Sequence, residues 1–238
     1  MFKQQNKRVL IKLSGEALAA GRTDELYDME LVDGVAKSLL DCVRSGYEIA
    51  VVVGAGNIWR GRSCADMDRT AGDRMGMLAT VINSICLKDA IERAGGKAHV
   101  LTAVRMSPLA EEYSSDYAKE CLSRGEIVVL GAGLGIPFLS TDTTGAVRAA
   151  ELSCSAMLMA KNIDYIYTAD PNKDPTAKKL EKVKGSDVLA MNLKAIDATA
   201  TAFCLSGGMP IYVFGMRSPA DITEAVLNGK YGTVVIPE

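Results

Sequence analysis

The chain contains a single histidine, His99, in 238 residues, and that scarcity limits its chemistry before any motif is read. A histidine-based triad and a zinc site built from several histidines both need more imidazoles than are present. The six cysteines, at 42, 64, 86, 121, 154 and 204, form no CxxC pair and sit mostly in apolar runs, so they read as reduced, buried thiols. Charge of one sign is also missing. The 27 Lys and Arg against 29 Asp and Glu leave a formal net charge of −2, which offers no overall attraction to nucleic acid or to an anionic membrane surface. Lys12 interrupts the apolar run that follows the basic N-terminal residues, far short of a signal-peptide core or a membrane span. A cytoplasmic location is expected. No internal repeat and no low-complexity linker breaks the chain.

What is present is apolar material: 48% of the residues are hydrophobic, enough for a substantial core. RVLIKL (8–13) reads as a strand. Residues 29–43 carry Leu31, Val32, Val35, Ala36, Leu39, Leu40 and Val43 at helical spacing and stop at Gly46. The alternation continues with a strand at 48–53, a helix at 75–93 ended by Gly95-Gly96, and a strand at 98–104. Further expected elements are a helix at 109–122, a strand at 126–130, a helix at 143–152 and a strand at 156–160. The chain closes with a helix at 198–205, a strand at 210–214, a helix at 220–227 and a strand at 233–236. Apolar strands alternating with helices predict a largely parallel sheet covered on both faces, an α/β fold whose ligands collect at the carboxyl ends of the strands. The long irregular stretch 162–184, with TADPNKDP inside it, reads as a ligand loop and a soft division of the chain.

Three glycine-bearing loops follow strands: KLSGEA, VVVGAGNIWRG (51–61) and LGAGLGIPFLSTD. None has the spacing of a P-loop, and neither GAGNIW nor GAGLGI completes a dinucleotide fingerprint. Glycines after a buried strand still let backbone N–H groups approach a ligand, and Arg60 adds a planar fork of donors suited to phosphate or carboxylate. Lys12 has its stem inside RVLIKL. It is either a lysine guarding a sheet edge or a buried ammonium awaiting an anion, and Ser14-Gly15 directly after it favours a phosphate-binding turn. Asp142 reads as a metal ligand, an orienter of Lys12 or a helix cap, and Asp73 poses the same choice. Met75 and Met77 read as core or subunit interface. Without a histidine base, the remaining parts suit phosphoryl transfer to an acceptor that is already an anion, where positioning and charge neutralisation suffice.

KLSGEAL, VVVGAGNIWRG, AGDRMGMLAT, GIPFLSTD and YTADPNKDPTA, in that order and spacing, resemble the prokaryotic UMP kinases of the amino-acid kinase family over nearly the whole chain. The resemblance implies a three-layer αβα sandwich with a mainly parallel central sheet. It implies a single domain, 1–238, with an acceptor half to about residue 155 and an ATP-binding half from about 156. The implied reaction moves the γ-phosphoryl of ATP, as its Mg2+ complex, onto UMP, giving UDP and ADP for pyrimidine nucleotide synthesis. By resemblance, Lys12, Leu13, Ser14, Gly15, Gly56 and Arg60 contact the ATP phosphates, and Lys161, Asn162, Tyr167 and Asp170 hold the adenine nucleotide. Ala55, Asp73, Leu134, Gly135, Ile136, Pro137, Phe138, Leu139, Ser140 and Thr141 fall where the family binds UMP. Lys12, Arg60, Asp142 and Asp197 fall at catalytic positions, Asp197 as an orienter of the catalytic lysine or as the cap of the next helix. Ala55 replaces a usual glycine and must keep φ negative or accept strain. UTP as an inhibitor, GTP as an effector and a homo-oligomer, a hexamer, are also implied, with no protein-held metal. Two other readings stay open: a relative whose acceptor is a carboxylate or carbamate, and a non-catalytic uridine-nucleotide sensor, against which Lys12 and Asp142 together weigh.

Overall fold

The computed structural model describes residues 7–19, 25–59, 66–171, 173–193 and 195–237. Its centre is β1 (Arg8–Leu13), flanked in parallel by β2 (Glu48–Val53) and β6 (Ala156–Lys161), so that Lys12 lies opposite Val52 on one side and Met159 on the other. A lysine so placed is not guarding an edge. Beyond β2 lie β5 (Ile127–Gly131), β3 (Ala98–Thr102) and the two-residue β4 (Glu111–Glu112); beyond β6 lie β10 (Ile211–Gly215), β11 (Thr233–Ile236) and β9 (Lys182–Lys184). The sheet order is β4-β3-β5-β2-β1-β6-β10-β11-β9, and among its described pairings only β10 with β11 is antiparallel. The short strands β7 (Ile166–Tyr167) and β8 (Lys179–Leu180) pair apart from it.

Strand alternation sorts side chains onto two faces. Val9, Ile11 and Leu13 enter one apolar cluster with α1 (Met29–Arg44), α2 (Arg69–Arg93) and α7 (Ala220–Asn228). Leu10 enters the other, with α3 (Ser115–Ser123), α4 (Thr141–Glu151), α5 (Gly185–Ala190) and α6 (Ala198–Ser206). Lys12, two residues after Leu10, therefore faces the α4 layer. The result is the expected three-layer αβα sandwich. Among the described residues no helix is long and apolar enough to cross a membrane. The five described cysteines are free; Cys42, Cys121 and Cys204 are buried, whereas Cys86 and Cys154 are half-buried, and Cys64 lies outside the described residues.

The stretch 162–184, expected to be irregular, holds β7, β8 and β9, whose pairings are long-range contacts that local pattern does not register, and α5 follows it. Two further elements differ from the sequence reading. Helix α2 begins six residues earlier than expected, because the carboxylate of Asp68 caps it by accepting from the Ala71 N–H at 2.9 Å, a contact of a type that contributes about 1 kcal/mol. The expected helix 109–122 is split: Glu111 and Glu112 pair with Leu101 and Thr102 as an edge strand, and α3 starts only after Ser114, whose hydroxyl accepts from the Tyr117 N–H.

Candidate functional site

β2 and β6 leave β1 in opposite directions across the sheet, and the crevice at the carboxyl ends of such strands is where open α/β sheets hold ligands. The first turn there is Ser14-Gly15. A Cβ on Gly15 would lie 2.6 Å from the Gly56 nitrogen and 2.7 Å from the Gly54 oxygen, so only glycine lets the first and second loops touch. Ala55 is absent from the residues of positive φ; it avoids the strain that a replaced glycine could have imposed. Arg60 lies outside the described residues.

Charge is concentrated on three side chains. Lys12 Nζ is 2.8 Å from Asp142 Oδ1, and Lys161 Nζ is 2.8 Å from Asp142 Oδ2. Asp142 sits in the first turn of α4, buried to 8% exposure. It is not the cap: Ser140 takes that role, its hydroxyl accepting from the Thr143 N–H at 3.1 Å. Burial pushes the Asp142 carboxyl up, but the two ammoniums beside it outweigh burial and hold it below the usual aspartate range. Lys161 is held below the usual lysine range, chiefly by burial and then by the like charge of Lys12, with Asp142 opposing both. Two cations share one carboxylate next to a helix N-terminus, so the cluster carries a net positive charge in a chain of net charge −2, a setting that favours a further anion.

Asp197 does cap α6, accepting from the Thr199 N–H at 2.7 Å, while its other oxygen accepts from the Thr143 hydroxyl at 3.2 Å. Its charge also acts on Lys161, but no contact joins it to Lys12 among the described hydrogen bonds and ion pairs.

Two cavities open beside the cluster. One, of about 360 Å³, is lined by Ser14, Glu16, Ala17, Leu31, Ala160, Lys161, Asn162, Met216, Arg217 and Ser218. The loop 216–218 after β10 was missed from sequence, although its position at the carboxyl end of a strand beside β6 was a usable signal. Tyr167 on β7 and Asp170 in the turn beyond it are not among the lining side chains.

The other cavity, of about 140 Å³, is lined by Ala55, Trp59, Gly72, Asp73, Gly76, Met77, Thr80, Gly133, Ile136, Leu139, Thr141 and Thr144. Met77 thus faces this cavity, whereas Met75 is exposed on another side of α2. Asp73 lies inside α2 rather than at its cap. Its oxygens accept from Arg69 Nε at 2.9 Å and from the Phe138 N–H at 2.8 Å. Burial raises its pKa, yet the Phe138 N–H and the Arg69 guanidinium bring it below the usual range, so Asp73 is an ionised acceptor at neutral pH. The 131–140 loop reaches it through Ala132, Gly133, Gly135 and Phe138, all at positive φ. Leu134, Gly135, Pro137 and Ser140 are half-buried along this loop, while Ile136 and Phe138 are 57% and 62% exposed. Non-glycine residues held in that region are strained, a feature that gathers at ligand clamps.

One gathering of metal-type donors occurs elsewhere among the described residues: His99, Cys121 and Glu126, at the far end of β3 and β5. The Arg124 guanidinium lies 3.3 Å from the Cys121 sulfur and 2.8 Å from Glu126 Oε2, so it already fills the space between two of the three donors.

Fold and site together define an α/β protein with a lysine-rich crevice at a switch point between parallel strands. The chain belongs to the amino acid kinase family, whose profile matches residues 7–215. The structure is similar to that of a UMP kinase from Bacillus anthracis, 33% identical over 98% of this chain and 96% of that one, with a TM-score of 0.92. It is equally similar to a UMP kinase from Ureaplasma parvum, 34% identical over 98% of this chain and all (100%) of that one, TM-score 0.91. A uridylate kinase from Archaeoglobus fulgidus, 24% identical with a TM-score of 0.73, shows the shared fold alone.

Proposed function

We propose that the protein is a UMP kinase that moves the γ-phosphoryl of MgATP onto UMP, giving UDP and ADP. The observation that carries the reading is the Lys12–Asp142–Lys161 cluster between two cavities: Lys161 lines one, and Thr141, next to Asp142, lines the other. ATP occupies the Lys161 and Asn162 side, with the backbone of Leu13, Ser14, Gly15 and Gly56 around its phosphates. UMP occupies the Asp73 side, where the ionised carboxylate accepts from ribose hydroxyls. Lys12 and Lys161 neutralise charge on the transferring group, and Arg60 is the further phosphate contact that the resemblance implies. Magnesium enters as part of the ATP complex; both oxygens of Asp142 are already bonded to lysines.

The test is ADP release with Mg-ATP and, separately, UMP, CMP, dUMP, acetylglutamate and carbamate. Rapid turnover with UMP is expected. Turnover with a carboxylate or carbamate in its place sinks the acceptor assignment, and UMP binding without any turnover returns the sensor reading.

The proposal extends to self-association. Met75, Leu78, Ile82 and Ile85 recur at three- and four-residue spacing on α2 and are 40–53% exposed, an apolar stripe that fits a second copy and then a hexamer. Ile82→Asp is expected to lower the assembled mass in light scattering; an unchanged mass assigns assembly to another surface. UTP, which carries the uridine of the acceptor, is expected to inhibit, and GTP is the candidate effector.

A further inference from the structure

Asn83, in the middle of α2, is fully buried at 0% exposure, and every hydrogen-bonding position of its amide is used. Its Nδ2 donates to the Gly54 carbonyl at 2.7 Å and to Asn57 Oδ1 at 2.8 Å. Its Oδ1 accepts from Asn57 Nδ2 at 3.1 Å and from the Tyr27 hydroxyl at 2.7 Å. The orientation of both amides is fixed by groups that only accept: the Gly54 carbonyl for Asn83, and the Leu26 carbonyl, 2.9 Å from Asn57 Nδ2, for Asn57. Burial holds the Tyr27 phenol up at about 12, with Cys86 adding to the effect, so Tyr27 remains a donor.

An amide is a poor choice for a helix core. Asparagine is a weak helix former, and a buried amide loses its hydration, whereas a leucine would fill similar space without either cost. A fully bonded polar group in such a place fixes geometry instead. What it fixes here is the second glycine loop. Gly54 N–H donates to the Leu13 carbonyl at 2.9 Å, and a Cβ on Gly15 would meet Asn57 Oδ1 at 2.4 Å. The amide of Asn83 thus grips the loop that abuts the Ser14-Gly15 turn. One turn earlier on the same face, Thr80 accepts from the Ala132 N–H at 3.0 Å and so holds the third loop to the same helix.

We propose that Asn83 is a positioning residue for phosphoryl transfer: through the Gly54 carbonyl and Asn57 it sets the gap between the turn at Ser14-Gly15 and the loop at Ala55-Gly56. The inference rests on the kinase reading above, in which those two segments border donor and acceptor phosphates. Transfer requires the reacting atoms about 3–3.5 Å apart and in line, and a misplacement of about 1 Å costs on the order of 100-fold in rate.

Asn83→Asp keeps the size of the side chain but, when ionised, cannot donate to Gly54 and turns an oxygen toward Asn57 Oδ1. Its kcat at pH 8 is expected to fall about 10- to 100-fold, with KM for MgATP and UMP within about threefold of the parent. A buried carboxyl titrates high, and its protonated form regains one donor. Part of the lost kcat is therefore expected to return as the pH is lowered toward about 6, a recovery that the parent enzyme does not show and that a purely structural defect would not produce. If Asn83→Asp does not fold, Asn57→Ala removes the loop's half of the pair and is expected to lower kcat about tenfold with KM little changed. A folded variant of either kind that turns over within about twofold of the parent at pH 8, or an Asn83→Asp loss that stays constant with pH, overturns the proposal. Failure of the parent itself on UMP strikes the acceptor assignment instead, and the same comparison is then read with the acceptor that does react.

Discussion

Replacing Asp142 by asparagine removes one negative charge from between two ammoniums that each lie 2.8 Å from it. The side chains of Lys12, Asp142 and Lys161 are only 9%, 11% and 18% exposed, so water does little to replace the lost partner. Breaking a buried ion pair by removing one member costs on the order of 3–5 kcal/mol, a large share of the roughly 5–15 kcal/mol that separates a folded domain from its unfolded chain. One relief limits the loss. Lys161 already titrates below the usual lysine range because of burial and Lys12, and shedding its proton removes the repulsion. The variant should therefore regain part of its stability as pH rises toward the lysine range. The parent behaves differently at the other end of the scale. The folded pKa of Asp142 is lowered, so its contribution is present above the unfolded value and disappears as pH falls through the folded one; the gap between parent and variant should shrink in acid. Urea denaturation at several pH values, with and without MgATP, measures both trends. Nucleotide should stabilise the variant more than the parent, since its phosphates supply the missing negative charge. A variant within about 0.5 kcal/mol of the parent at neutral pH, or one whose deficit persists unchanged in acid and in base, refutes the picture of one buried carboxylate holding two cations.

Gly15→Ala drives a Cβ to 2.6 and 2.7 Å from backbone atoms of Gly56 and Gly54, and a backbone contact cannot rotate away; turnover should fall at least about 100-fold, and an active alanine variant would show that the two loops do not meet there. Asp73→Asn should raise KM for UMP about tenfold, the size expected for one charge-assisted hydrogen bond, and leave KM for MgATP alone; equal changes in both constants would place Asp73 outside the acceptor site. Because Lys161 is held low by burial and by Lys12, MgATP binding should weaken as pH rises below the ordinary lysine range, and Lys161→Ala should abolish that limb in an ATP titration.

The strands were readable where burial on both faces makes them continuous apolar runs: residues 8–13 and 48–53 stand in the structure with the limits expected from sequence. The start of α2 was not, because Arg69, Thr70, Gly72, Asp73 and Arg74 give its first turns no apolar face, and the Asp68 cap was the remaining signal. Residues 109–113 misled for another reason: their pairing with β3 is a long-range contact that local periodicity does not register. Within the site, glycine loops and single charged residues were visible one at a time. The joining of Lys161 to Asp142, 19 residues apart, depends on the chain returning to β6 beside β1, and no spacing rule contains that step. Asn83 was invisible for a related reason, since a polar residue among apolar neighbours on a helix looks the same whether it caps a cavity, fills one or grips a loop.

The arrangement also decides what Asp142 does. A general base needs a pKa near the working pH and a lone pair free to receive the proton. Asp142 lacks that pKa: the two lysines hold its carboxyl below the usual range, each of its oxygens being bonded to one of them. His99, the one imidazole of the chain, is bonded to Glu111 and Glu126 at the opposite end of the strands. On the kinase reading proposed above, the site suits an acceptor that arrives already ionised, and its work is to bring two groups of negative oxygens together. Asp142 contributes by spacing the ammoniums. With it, Lys12 and Lys161 stand apart on either side of one carboxylate, each with donors left for a phosphate oxygen; without it, their mutual repulsion would drive them away from the point where the three loops converge. The same logic accounts for a chain of nearly balanced charge binding highly charged ligands. On that reading the attraction comes not from the whole surface but from buried Lys12, half-buried Lys161, one helix N-terminus and backbone amides that the switch point of the sheet gathers within one crevice.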